Sequence, residues 1–131
     1  MENREIFNKL YLEAKALMER RFTSEGGVGA VMLEDGSVLT SVWNETLNSA
    51  VDLCAETGAI LEAHKLNKKI THSLCLVRDE NGSEKIVAPC GVCQERLFYF
   101  GKDVVCAINS DVNDIKFKSL NELQPYYWNK D

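Results

Sequence analysis

Two short segments of the sequence contain cysteines and a glutamate that together could form a catalytic metal site. Cys54-Ala55-Glu56 supplies one thiolate and one carboxylate, and Pro89-Cys90-Gly91-Val92-Cys93 supplies two more thiolates. Three protein ligands leave the fourth position of a tetrahedral zinc ion open for water, which is the arrangement of a catalytic site. Zinc lowers the pKa of that water to near neutrality. The pattern therefore predicts one zinc ion on Cys54, Cys90 and Cys93, with Glu56 as the proton carrier.

The combination of the two segments is more specific than either segment alone. A Cys-x-x-Cys pair also occurs in redox-active sites and in structural zinc sites, and both remain open as weaker interpretations. The glutamate two residues after Cys54 and the proline directly before Cys90 favour the catalytic interpretation. A structural site would need a fourth ligand, and the other soft ligands stand apart from both segments: Cys75, Cys106, His64 and His72.

Composition narrows the class of protein. The chain has 131 residues, which predicts a single domain over 1–131 with a sizeable core. Its formal net charge of −5 argues against binding polyanionic nucleic acid. No apolar run is long enough for a transmembrane helix, and residues 1–5 lack the apolar run of a secretory signal. Five cysteines without disulfide-framework spacing favour a cytoplasmic protein, and the lack of a transmembrane run predicts no membrane association.

Hydrophobic periodicity predicts strands that alternate with helices, which is typical of an α/β fold. We expect helices over 2–21, 54–66 and 91–100, strands over 28–33, 38–42, 71–77, 85–87 and 103–108, a possible strand over 115–117, and a capped turn at Ser119–Leu123. Both cysteine segments then fall at strand-to-helix junctions.

Those junctions carry an electrostatic and a geometric expectation. Cys54 and Cys90 are each expected to begin a helix, where the dipole favours the thiolate. Cys90 and Cys93 share one helical face because they are three residues apart. Cys54 and Glu56 would diverge within a regular helix, so Cys54 must lie at the non-helical cap.

These motifs, with the leading helix and the strand beginning at Val28, resemble the cytidine deaminase family of small zinc enzymes. The resemblance implies a three-layer sandwich in which helices flank a mixed five-stranded sheet. It also implies hydrolysis of the 4-amino group of cytosine nucleosides in a homo-oligomer, most simply a homotetramer. By the same resemblance Cys54, Cys90 and Cys93 bind zinc, Glu56 carries protons, and the backbone N–H of Ala55 contacts the reacting group.

The sequence departs from the family on the substrate side. Gly26 stands where an aromatic residue is usual, which suggests a missing wall against the base. The ribose-binding Asn-x-Glu pattern of the family corresponds to Trp43-Asn44-Glu45, so the glutamate fits and the amide is displaced by one residue. Asn44 and Glu45 are therefore the expected substrate-binding residues. The tail over 122–128 is similar to the blasticidin S deaminase branch, which suggests tolerance of a modified sugar.

A further departure concerns charge, because three thiolates and one zinc ion together carry one net negative charge. Family members with three cysteines commonly have arginine after each ligand motif, whereas this chain has Thr57 and Gln94. Arg96, three residues after Cys93, could reach the same helical face. Of the aromatic tail, Tyr126, Tyr127 and Trp128 are expected at a subunit interface.

Two further functions stay open beside the deaminase. The first is a catalytically silent zinc-binding protein that keeps the fold, against which the intact Glu56 counts. The second is a deaminase that edits nucleic acid, against which the acidic charge and the lack of a basic groove count.

Overall fold

The structure is a computed structural model, and it describes residues 1–129. The predicted single domain over 1–131 is therefore described as far as Asn129, and Lys130 and Asp131 lie outside the described residues. The elements in chain order are α1 (Asn3–Arg21), β1 (Gly26–Leu33), β2 (Val38–Val42), a 3₁₀ turn (Ser49–Val51), α2 (Thr57–Leu66), β3 (Ile70–Arg78), β4 (Glu84–Val87), α3 (Gly91–Leu97), a second 3₁₀ turn (Phe98–Phe100), β5 (Val105–Ile108), β6 (Lys116–Ser119) and α4 (Leu120–Leu123).

The strands form one mixed sheet in the order β2-β1-β3-β5-β6, with β4 also paired to β3. Only β3 and β5 run parallel, and the other pairs are antiparallel. The sheet has six strands where the sequence resemblance implied five. The sixth arises because two strands share the edge of β3 that faces away from β1. β5 pairs with His72 and Ser73, and β4 pairs with the second half of β3, from Cys75 to Arg78.

Helices cover both faces of this sheet, which confirms the predicted three-layer sandwich. Side chains alternate between the faces along β1, so that Val28, Ala30 and Met32 belong to a core with α1, whereas Val31 and Leu33 belong to a core with α2. The first core includes Phe7, Leu10, Ala14, Met18, Leu74, Leu76 and Ile86. The second core includes Ala59, Ile60, Ala63, Ile70, Leu97, Cys106 and Leu120. Every residue of β1 is buried as a result.

Most predicted boundaries agree with the structure, but the helix that follows Cys54 does not. That helix was expected to begin at Cys54, and it begins at Thr57. Ala55 and Glu56 form a turn that lies against β1 at Gly29, and Glu56 already has helical backbone angles. The capped turn at Ser119 is confirmed, with reciprocal hydrogen bonds between Ser119 and Glu122. No helix among the described residues is both long and apolar enough to cross a membrane.

Candidate metal centre and active site

The start of α3 holds two cysteines by local backbone geometry. Cys90 is the extended N-cap residue, and its carbonyl accepts a hydrogen bond from the Gln94 N–H at 2.8 Å. Cys93 lies one turn further along the helix and is fully buried. Burial of Cys90 opposes ionisation, but hydrogen bonds from the backbone N–H groups of Cys93 and Val92 prevail and lower its pKa. The predicted thiolate-favouring helix start is confirmed for Cys90.

The start of α2 is built differently. Cys54 precedes the helix by three residues, and its carbonyl accepts the Thr57 N–H at 3.0 Å. Glu56 is the N-cap residue and makes no side-chain capping hydrogen bond. Burial, followed by the hydrogen bond with Cys90, raises the pKa of Cys54. The expectation that the helix end would lower this pKa is therefore wrong, because the thiol lies outside the first helical turn.

The sulfur atoms of Cys54, Cys90 and Cys93 converge at this point. All three Sγ atoms lie within 4.8 Å of one another, and those of Cys54 and Cys90 are 3.3 Å apart. Zinc–sulfur bonds of ~2.3 Å in tetrahedral geometry place two sulfur atoms roughly 3.8 Å apart. The 3.3 Å separation is shorter than that value and the 4.8 Å upper limit is longer, so the three side chains fit one zinc ion with small adjustments.

Glu56 lies beside this cluster in a dry environment. Glu56 is one of the few buried polar residues in the described part of the chain, with an exposed fraction of 3%. Burial raises the pKa of the Glu56 carboxyl, although hydrogen bonds from its own backbone N–H and from the Cys75 thiol act in the opposite direction. A raised pKa brings a carboxyl group closer to the range in which it can both accept and release a proton. The role of Glu56 as proton carrier stays a prediction.

A cavity of about 360 Å³ opens in front of these groups. Cys54, Ala55, Glu56 and Cys90 line it on the side of the metal cluster. The remaining lining residues are Glu25, Gly26, Gly27, Trp43, Cys75, Val77, Arg78, Val87 and Ala88. A concave, mostly apolar space of this size with few polar groups is typical of a small-molecule site.

The sequence suggested that Gly26 leaves a wall of the cavity missing, but the structure shows no gap at this position. A Cβ atom at Gly26 would lie 2.5 Å from the Phe22 ring, and Phe22 packs in the core on the α1 side of the sheet. A side chain at this position would therefore point away from the metal cluster. The sequence did not indicate the direction of this position, because the strand was predicted to begin at Val28 and begins at Gly26.

Trp43 lies in the cavity wall. The sequence pattern indicated only that Trp43 replaces an amide residue, and it did not predict this position in the wall. The backbone N–H of Trp43 donates to the Gly27 carbonyl at 2.9 Å, and a Cβ built at Gly27 would lie 3.3 Å from the Trp43 Cβ. Asn44 and Glu45 are exposed and do not line the cavity. Asn44 pairs through its backbone with Leu53. Substrate binding by Asn44 and Glu45 stays a prediction.

Arg96 reaches the start of α2, as its helical position predicted. Its Nη1 donates to the Thr57 hydroxyl at 3.0 Å, and Thr57 is 4% exposed. Arg96 makes no ion pair with a carboxylate among the described residues. The Arg96 guanidinium therefore lies beside the first residue of α2. Gln94 instead donates to the Pro89 carbonyl at 2.8 Å and accepts from Gln124 at 2.7 Å.

Comparison with known proteins places the chain in a family. The sequence profile described as "Cytidine and deoxycytidylate deaminase zinc-binding region" matches residues 2–108. The crystal structure of the cytidine deaminase from Bacillus anthracis is 53% identical, covers 94% of this chain and 89% of its own, and has a TM-score of 0.88. The comparison with curated protein sequences gives no significant match.

More distant structures share the fold alone. Cytidine deaminase from Mycobacterium leprae is 20% identical over 91% of this chain and 97% of its own, with a TM-score of 0.72. Cytidine deaminase from Burkholderia pseudomallei is 18% identical over 98% of this chain and 100% of its own, with a TM-score of 0.75.

The chain belongs to the cytidine and deoxycytidylate deaminase family. It is a zinc-dependent hydrolytic deaminase, and Cys54, Cys90 and Cys93 form its candidate metal site.

Proposed function

We propose that this enzyme hydrolyses the 4-amino group of a cytosine nucleoside, with cytidine and deoxycytidine as first candidates and the antibiotic blasticidin S as a further one. The observation that carries the proposal is the convergence of three cysteine sulfurs and the buried Glu56 at one end of a cavity of about 360 Å³. The 53% identity to a protein described as a cytidine deaminase supports the same substrate class.

In this proposal Cys54, Cys90 and Cys93 hold the zinc ion. When bound, zinc acts as a Lewis acid that makes hydroxide available from water at neutral pH. Glu56 accepts one proton from the attacking water and delivers it to the cytosine ring, and it then takes the second proton of the same water and delivers it to the departing amino group. The base gains an oxygen at C4 and releases ammonia, so one water molecule is consumed for each uracil product.

The surroundings of Glu56 support that role. Ala55 is 5% exposed and lines the cavity beside the sulfurs, where its backbone N–H would contact the reacting group. Trp43, Val77 and Val87 supply apolar walls that keep water away from the base. Exclusion of water strengthens the remaining polar interactions because the local dielectric constant falls.

The sugar side is where specificity is expected to relax. Trp43 places an aromatic ring in the wall where the family pattern leads one to expect an amide. A site without groups that bond a sugar hydroxyl discriminates less between sugars, because no polar partner is left unsatisfied by an analogue. Glu45, in the exposed segment after Trp43, would supply one contact to the sugar or to a basic substituent. The similarity of the tail over 122–128 to the blasticidin S branch points in the same direction.

We further propose that the enzyme is a cytoplasmic homotetramer. Three aromatic side chains near α3 and the tail are highly exposed, with Tyr99 at 70%, Tyr126 at 95% and Trp128 at 76%. Exposed aromatic residues are enriched at protein interfaces. The five cysteines are free thiols, which suits a reducing compartment. Light scattering at micromolar concentration should show an oligomer, and a fully active monomer would contradict the assembly.

The decisive experiment is an ultraviolet assay of the purified, zinc-loaded protein on cytidine, deoxycytidine, cytosine and blasticidin S. We expect turnover of the nucleosides, with kcat/KM values for cytidine and deoxycytidine that lie close together. Glu45→Gln should be assayed beside wild type on cytidine and blasticidin S. A strong preference for cytidine that collapses in Glu45→Gln would restrict the enzyme to ordinary ribonucleosides. Failure on all four compounds with zinc bound would favour the silent zinc-binding protein.

A further inference from the structure

The helix start that carries Glu56 lacks a capping group of its own. The first N–H groups of a helix need partners from outside the helix, and the N-cap residue normally supplies one with its side chain. Glu56 makes no such bond, and it lines the cavity instead. The missing partner comes from β2, where the Ser41 hydroxyl accepts the Ala59 N–H at 2.9 Å.

The same hydroxyl also holds the segment before the helix. Ser41 Oγ donates to the Ala55 carbonyl oxygen at 2.5 Å. The Ser41 side chain on β2 thus joins Ala55, which lies between the two functional residues, to Ala59, the third residue of α2. Cys54, Ala55 and Glu56 line the cavity, whereas Ser41 does not. Its contact with the site is therefore indirect, through the backbone.

Two glycines allow this close approach. A Cβ at Gly58 would lie 2.8 Å from the Ser41 Cβ. On the neighbouring strand β1, a Cβ at Gly29 would lie 2.7 Å from the Ala55 oxygen and 2.8 Å from the Glu56 Cα. The backbone of Ala55 and Glu56 is therefore pressed against β1 at Gly29 and tied to β2 at Ser41, and it has little freedom to shift.

We propose that Ser41 is a positioning residue for deamination, which fixes the Ala55–Glu56 backbone and thereby aims the Glu56 carboxylate at the substrate. Orienting the reacting groups contributes strongly to rate, and a misplacement of about 1 Å can cost roughly a hundredfold. The inference rests on the proposed role of Glu56 as proton carrier. It adds a residue that none of the sequence motifs contains.

The test is Ser41→Ala, with Thr40→Ala as the matched control. Thr40 lies on the same strand with its side chain on the opposite face, and it too is half-buried. Zinc content, kcat and KM for cytidine should be measured for each variant, with kcat expressed per bound zinc. Ser41→Ala is expected to keep about one zinc per chain and to lower kcat on the order of tenfold to a hundredfold, with KM little changed. Thr40→Ala should match wild type.

A second variant keeps the hydroxyl and displaces it. Gly58→Ala should push Ser41 away and reproduce the fall in kcat, so the proposal stays testable if Ser41→Ala fails to fold. Unchanged kcat per bound zinc in either folded variant would overturn the proposal, as would an equal loss in Thr40→Ala. Glu56→Ala, assayed in parallel, separates the two claims. If Glu56→Ala remains active, the proposed function fails, and if only the Ser41 and Gly58 variants remain active, the positioning role alone fails.

Discussion

The two helix starts that bring the cysteines together differ in whether local or distant residues hold their backbone in place. The start of α3 is self-contained, because Cys90 is its N-cap residue, Cys93 follows one turn later, and the backbone N–H groups of Val92 and Cys93 lower the pKa of Cys90. The start of α2 depends on distant residues, because Ser41 and Gly29 hold its backbone and Arg96 reaches its first residue, Thr57.

The difference appears in the electrostatics as well. The helix start lowers the pKa of Cys90, whereas burial raises the pKa of Cys54. A junction that forms locally can prepare a metal ligand by backbone geometry alone. A junction that must also present a buried carboxylate begins its regular helix three residues after the first ligand, and a tertiary contact from Ser41 supplies a hydrogen-bond partner for the Ala59 N–H.

The largest effect is expected when a ligand is removed from the local junction. Cys90→Ala should abolish zinc binding and activity and should lower the melting temperature, because the metal joins the starts of α2 and α3. Metal analysis and thermal unfolding will check this. Cys106→Ala, which removes a buried thiol outside the cluster, is the control and should keep zinc. A Cys90→Ala protein with full zinc content would remove Cys90 from the ligand set.

Glu56→Ala should break the other junction chemically without breaking the metal site. We expect zinc and fold to be retained and kcat to fall by roughly 10²- to 10⁴-fold, which is typical of losing a general acid–base group. Steady-state assays together with zinc analysis measure both quantities. Turnover at the wild-type rate in preparations free of host deaminase would reject the proton-carrier role.

A pair of glycine substitutions compares the two junctions directly. Gly29→Ala places a methyl group within 2.8 Å of backbone atoms of Ala55 and Glu56, whereas a Cβ at Gly91 meets nothing within 4 Å. Gly29→Ala should therefore lower kcat on the order of a hundredfold, and Gly91→Ala should keep zinc and fold. Kinetics and circular dichroism decide the matter. Equal behaviour of the two variants would show that the packing against β1 is unimportant.

The smallest effect concerns charge balance across the junctions. Arg96→Gln should weaken zinc binding by about tenfold to a hundredfold, the range typical of residues that support metal ligands. Arg96→Lys should retain part of the affinity, since it keeps the charge but not the planar donor geometry. Competition with a chelator measures the change. Arg20→Gln is the control, because Arg20 is an exposed residue of α1. An affinity loss in that variant equal to the loss in Arg96→Gln would contradict a specific role for Arg96.

The sequence by itself determined the features that depend on short spacing. The Cys-x-Glu and Pro-Cys-x-x-Cys motifs, the shared face of Cys90 and Cys93, the capping box at Ser119 and the alternating faces of the strands all follow from residues a few positions apart. The family resemblance added the layered fold and the reaction, and the comparisons confirm the fold and the class of zinc-dependent hydrolytic deaminase.

Only the tertiary structure decided how α2 begins, which side Gly26 faces, and what forms the wall of the cavity. Ser41, Gly29 and Arg96 contact the Cys54–Glu56 segment and Thr57 from elements that are distant in the chain, and Phe22 occupies the space above Gly26. Local spacing carries no record of such contacts. Whether two distant backbones can approach within van der Waals distance is settled only when the strands and helices pack together.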